Sequence, residues 1–186
     1  MKKNAFIILL LSALLTSCVA AVVAGAAGLV VYDRRSVVMI ERDARIFYMI
    51  NTEIAGDPNF RDSHIVISSF NQVVLLAGQT PKATLRVLAE KIAKKTPKVL
   101  RVYNEITVQD PISFSQRSKD SWITGQVRAQ MLAKKGLESG SIRVVTENSV
   151  VYLMGIATHE QANLAVDVAR QVNGVSKVVK IFRYIT

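Results

Sequence analysis

Beyond residue 41 the chain alternates between two hydrophobic periods, one near four and one of two, and it runs through the same series twice. Ile46, Ile50 and Ile54, with Phe47 beside them, recur as one face of an amphipathic helix, and Gly56-Asp57-Pro58 ends it. Two strand-like runs follow, at 64–69 and 73–78, with Phe70-Asn71-Gln72 as a tight turn of a hairpin. Thr80-Pro81 predicts an N-cap followed by proline at the first helical position, and Leu85, Leu88 and Ile92 predict the buried stripe of that helix. Lys94-Lys95-Thr96-Pro97 stops it, and the β-branched alternation over 99–108 predicts a third strand. The second series predicts a helix over 118–135, strands over 141–146 and 150–155, a helix over 158–172 and a strand over 176–184.

Val73-Val74-Leu75-Leu76-Ala77-Gly78 and Val150-Val151-Tyr152-Leu153-Met154-Gly155 stand at one constant offset, so the two series are copies of one small domain. A strand–helix–strand connection makes its strands parallel, whereas the hairpin is antiparallel. The expected fold class is therefore α+β: two tandem domains, each α-β-β-α-β, with a three-stranded mixed sheet packed against two helices. Gly78 and Gly155 close their strands, and a close approach of a helix backbone or a turn of the chain is their expected role.

The amino terminus carries Lys2-Lys3, an uncharged run from 5 to 15, and then Leu15-Thr16-Ser17-Cys18. A basic start, an apolar stretch and small residues before a cleavage point describe a signal peptide over 1–17. The last four resemble the lipobox of bacterial lipoproteins, which makes Cys18 the acylated first residue of the mature chain. Cys18 is the single cysteine, so the exported body can form no internal disulfide. An uncleaved transmembrane anchor is the rival, because residues 5–32 carry no charge, but Ala, Val and Gly from 20 to 28 make a poor lipid-facing span. By analogy with lipoprotein sorting, Val19 after the cysteine points to the outer membrane. Residues 18–40 are then the lipidated cysteine and a tether, 41–110 the first domain, 111–117 a linker and 118–186 the second domain.

Among 186 residues the net charge of +10 favours an acidic partner. It divides as +3 over 1–40 (4 minus 1), +2 over 41–110 (10 minus 8) and +5 over 111–186 (10 minus 5), so the second domain is the basic one. Its first helix carries Arg117, Lys119, Arg128, Lys134 and Lys135, with Trp122 near its start. If Ile123, Val127 and Met131 face the core, then Trp122, Gly125, Arg128, Ala129 and Leu132 lie on the outer side. A helix with basic groups beside an indole suits an anionic membrane interface, although a core stripe with solvated bases accounts for the same residues. Lys82, Arg86, Lys91, Lys94 and Lys95 on the second helix of the first domain form another basic set, read as a solvated face. Export makes nucleic acid a poor partner. The two histidines, His64 and His159, fall in different units at the starts of a strand and a helix, so neither a metal cluster nor a Cys-His nucleophile is expected. Glu41 with Asp43 and Asp57 with Asp62 fit helix-start and turn roles. No catalytic residue, metal or cofactor is expected.

The repeated Val-x-Leu-x-Gly strand, the Ala-rich helix after it, Asn173-Gly174-Val175-Ser176-Lys177-Val178 and Asp120-Ser121-Trp122-Ile123-Thr124 together resemble the BON domain family, over about residues 41 to 186. With a lipobox, tandem BON domains are similar to the division- and stress-associated outer-membrane lipoproteins of Gram-negative bacteria; Val102-Tyr103-Asn104-Glu105-Ile106 and Thr146-Glu147-Asn148 add local matches. That resemblance implies a non-enzymatic, lipid-anchored protein on the periplasmic face of the outer membrane, which binds anionic phospholipid through the first helix of its second domain and supports envelope integrity. Carried onto this chain, the contact residues are Trp122, Gly125, Arg128, Ala129, Leu132, Lys134 and Lys135. The alternative is a protein-interaction scaffold for outer-membrane assembly factors.

Overall fold

The computed structural model describes residues 35–186, which lie in one compact unit. The predicted signal peptide, Cys18 and most of the predicted tether fall outside the described residues. Both hydrophobic series fold as expected in kind and order. Helix α1 (Val37–Gly56) is followed by β1 (His64–Phe70), β2 (Val73–Thr80), α2 (Ala83–Lys95) and β3 (Arg101–Val108). Helix α3 (Phe114–Ala133), β4 (Ile142–Glu147), β5 (Val150–Ala157), α4 (His159–Arg170) and β6 (Lys177–Tyr184) repeat the order. Each sheet has its hairpin antiparallel and its crossover pair parallel, with the middle strand being the second of the hairpin. Among the described residues no helix is long and apolar enough to cross a membrane.

The boundaries depart from expectation where caps lie upstream of the periodic residues. Ser36 Oγ accepts from Met39 N at 3.2 Å, so α1 starts at Val37, inside the stretch read as tether. Its first turn hid from the pattern because Val37, Val38 and Ile40 face solvent and so do not mark the buried side. Ser113 Oγ likewise accepts from Gln116 N at 3.2 Å and starts α3 four residues before position 118. Thr80 caps nothing: it ends β2, buried, and takes a hydrogen bond from Ser63 Oγ at 3.0 Å, while Lys82 precedes α2 without a side-chain cap. Gly78 and Gly155 are structural, but no helix presses on them. A Cβ would stand 2.0 Å from His64 O at Gly78 and 2.5 Å from Ser141 O at Gly155, so the close neighbour is backbone where the antiparallel partner strand begins.

One side chain in each unit locks helix to hairpin. The two-residue turns Asn71-Gln72 and Asn148-Ser149 have positive φ at both positions, the primed geometry that matches strand twist. Their amides point inward and need acceptors. Asp43 takes Asn71 N at 2.7 Å, Gln72 N at 2.8 Å and Ser69 Oγ at 2.8 Å. Arg35 completes that carboxylate at 2.6 Å and lies over the Phe70 ring. Asp120 takes Asn148 N at 2.7 Å and Ser149 N at 2.9 Å, with the Gln116 amide donating at 3.0 Å. Asp43 is therefore a buried mid-helix acceptor rather than a helix-start residue.

Alternation along the strands then builds two kinds of core. Val74 and Leu76 face α1 and α2, and Val151 and Leu153 face α3 and α4. Leu75, Ala77 and Phe70 turn the other way and pack against Tyr152, Met154 and Ile181, so the two sheets lie back to back with the helices on opposite outer faces. The seam contains a polar link: Gln79 Nε2 donates to Glu147 Oε1 at 2.8 Å, Gln79 Oε1 accepts from Ile112 N at 3.1 Å, and His64 Nε2 stands 3.5 Å from Glu147 Oε2. Burial, then the charges of Glu105 and Glu147, push the Tyr152 phenol up to about 12, so it stays neutral at physiological pH.

Removing the turn acceptor leaves two amides without their partner, and hydrogen bonds to a charged group contribute about 1.5–3 kcal/mol. Asp120→Ala is expected to lower unfolding stability by about 3 kcal/mol in urea titration, with Asp120→Asn intermediate because one acceptor oxygen remains. A loss below about 0.5 kcal/mol for the alanine variant would contradict this role.

Candidate functional site

Four buried residues of α3, Asp120, Ile123, Val127 and Met131, define its inner face. At 3.6 residues per turn the opposite face is Ser118, Trp122, Gly125, Ala129 and Leu132, with Phe114 at its start. The large members stand out into solvent: Phe114 is 78% exposed, Trp122 56% and Leu132 43%. Helix phase is held by the Asp120 contacts and by Thr124 Oγ1, which donates to Thr146 Oγ1 on β4 at 2.7 Å.

Of the residues expected to touch lipid, Trp122, Gly125, Ala129 and Leu132 come together on this strip. Arg128 stands at its shoulder and is engaged: Nη2 donates to Val144 O at 3.1 Å, tying the helix to β4. Lys134 follows the last helical residue and Lys135 comes next, so both stand at the C-terminal end, where lysines also complement the helix dipole. Arg117 and Lys119 are exposed in the first half. The result is an outward strip that runs about five turns from Phe114 to Leu132, with basic groups towards both ends.

One feature was missed from the sequence, and another was named without its reason. Phe114 belongs to the strip only because α3 begins early, and the signal for that start was Ser113-x-x-Gln116, the spacing of a capping box. Gly125 was included only for its position, yet it is the odd residue of the face. A Cβ there would meet nothing within 4 Å, so no packing constraint calls for glycine in an exposed helix interior, where it costs about 1 kcal/mol relative to alanine. Beside Trp122 it leaves a flat step in the strip.

The BON domain model matches this chain twice, over residues 42–110 and 119–185. The "Outer membrane lipoprotein DolP" of Haemophilus influenzae is 36% identical over 186 residues, covering 98% of this chain and 96% of that protein. The "21 kDa hemolysin" of Actinobacillus pleuropneumoniae is 36% identical over 124 residues, 67% of this chain and 64% of its own. The "Osmotically-inducible protein Y" of Escherichia coli is 26% identical over 139 residues, 73% and 69% of the two chains.

Gly125→Ala is expected to raise unfolding stability by about 1 kcal/mol without moving the core. Loss of stability instead would mean that the glycine answers a packing need, and thermal or urea unfolding distinguishes the two.

Proposed function

The chain belongs to the BON domain family, and from that premise we propose that it is an outer-membrane lipoprotein of the periplasmic face, whose second domain lays α3 on anionic phospholipid head groups and so helps maintain the membrane barrier. The observation that carries this reading is the outward strip of Phe114, Trp122 and Leu132 set among Arg117, Lys119, Lys134 and Lys135. Indole is favoured at a membrane interface, and each nearby base contributes about 1 kcal/mol against an anionic surface. Domain charge agrees, since 111–186 carries +5 (10 minus 5). The full-length likeness to a protein named as an outer-membrane lipoprotein supports the compartment.

An acylated Cys18 fits this geometry. About 18 residues separate it from α1 along the sequence. The anchor supplies residence and the α3 face supplies orientation and head-group choice.

The test uses the mature chain, residues 18–186, with Cys18→Ser so that no acyl group contributes. Trp122 is the single tryptophan, and its emission is expected to shift to the blue with phosphatidylglycerol vesicles, to stay put with phosphatidylcholine, and to lose its response as salt rises. Lys134→Gln with Lys135→Gln is expected to cost about 2 kcal/mol, roughly thirtyfold in affinity. Equal shifts on neutral and anionic vesicles, or no shift and no co-sedimentation, would overturn the reading.

A further inference from the structure

We propose that the outer edge of β6 takes an added strand, an extended acidic segment of another polypeptide, at a site separate from the α3 face. Four strands end the two sheets: β1 and β3 in the first domain, β4 and β6 in the second. An edge presents alternate backbone N–H and C=O groups that its own ladder does not use. Strand β1 runs close to β4, and Arg128 Nη2 crosses from α3 to Val144 O. On β3 the cover is built from side chains. Asn104 Oδ1 accepts from Ile106 N at 3.3 Å, Arg86 Nη2 donates to Asn104 O at 3.3 Å, and Asn104 Nδ2 donates to Arg86 O and to Glu90 Oε2, both at 3.0 Å.

Strand β6 is the same element of the repeat without that cover. Asn104 lies beside Leu76 as Lys180 lies beside Leu153, and Ile106 lies beside Gly78 as Phe182 lies beside Gly155. The strand ends fix the alternation: Ile185 N donates to Ala157 O at 3.1 Å, as Gln109 N donates to Thr80 O at 2.9 Å. Odd-numbered residues of β6 therefore bond to β5, and Val178, Lys180, Phe182 and Tyr184 turn their backbone groups outward. A lysine has donors and no acceptor, so Lys180 cannot give Phe182 N what Asn104 gives Ile106 N. Nor is β6 shortened, the usual way of blunting an edge: it runs for 8 residues.

Charge selects the occupant. Lys177, Lys180 and Arg183 are exposed on β6, which carries no acid, while α4 beside it adds Glu160 and Asp167 against Arg170. Between these bases Val178 and Phe182 lie half-buried on the helix side and Val179 on the seam side. A second copy of β6 would set base against base across the new ladder, which destabilises a cross-strand pair. An extended segment that alternates acidic with apolar residues matches both features, its main chain supplying affinity and its side chains the choice. Helix α3 packs on β4 and α4 on β5 and β6, so the β6 edge lies across the sheet from the α3 strip.

The mature chain, residues 18–186 with Cys18→Ser, is titrated with a capped peptide of about six residues, a typical strand length, in which Glu and Val alternate, and with its Lys and Val counterpart. Backbone amide signals and their hydrogen exchange are followed together. The acidic peptide is expected to shift the Lys180 and Phe182 amides and to slow their exchange about tenfold at saturation, and the basic one to do neither. Lys180→Pro removes an outward N–H while leaving the β5 ladder whole, and is expected to abolish these changes. Lys177→Glu with Lys180→Glu, which adds no backbone constraint, is expected to weaken binding about tenfold should the proline variant fold poorly. Lys134→Gln with Lys135→Gln, at the end of α3, is expected to leave it within about twofold. Unmoved Lys180 and Phe182 amides, an equal response to both peptides, or full binding by Lys180→Pro overturns the inference. So does slowing of the same amides by rising protein concentration alone, the edge then being taken by a second copy.

Discussion

In each domain a buried carboxylate from the first helix accepts the two amides of the hairpin turn, and that contact fixes the rotation of the helix over its sheet. Asp120 satisfies Asn148 and Ser149, and Asp43 satisfies Asn71 and Gln72. Once this residue points inward, helical geometry decides what points outward: positions two, five, nine and twelve residues later. In the second domain these are Trp122, Gly125, Ala129 and Leu132; in the first they are Arg45, Tyr48, Thr52 and Ala55. The surface chemistry of both domains therefore follows from one internal hydrogen-bonding requirement, and the copies diverge on the outside while sharing the inside.

The second constraint is that each sheet is apolar on both faces. Strands such as Val73–Thr80 bury alternate residues under the helices and the rest against the other sheet. That joins the domains into one unit, with Gln79 and Glu147 matched across the seam rather than left to water. It also removes the sheet faces as binding surfaces and leaves helices and strand edges to meet partners. A body with fixed opposite faces cannot turn one domain to a surface without turning the other away.

Element types and their order were legible because Ile, Val and Leu keep strict periods of four and two, and because the repeat let each domain check the other. Domain-level resemblance followed from the same residues. The starts of α1 and α3 were not legible, since their first turns expose Val37, Val38 and Phe114, and an exposed apolar residue breaks the pattern from which burial is read. Nor was the role of Asp43 and Asp120, as an aspartate within a helix pattern gives no sign of a hydrogen-bond partner some 28 residues away. Thr80-Pro81 misled for a related reason: the cap signature was present, but register with β1 and β3 carried the strand through Thr80. At the candidate site the outward strip was legible from spacing, whereas the engagement of Arg128 with Val144 O depends on how close β4 passes, which spacing does not encode.

An α3 that lies along the lipid surface as proposed holds its indole at head-group depth. Depth-resolved quenching measures this directly: the mature chain, residues 18–186, acylated at Cys18, is reconstituted in phosphatidylglycerol bilayers whose lipids carry bromine either just below the head group or deep in the acyl chains. Trp122 is expected to be quenched strongly by the shallow label and weakly by the deep one. Equal absence of quenching from both positions, with the chain anchored in the bilayer throughout, would contradict it, because α3 would then stand clear of the membrane.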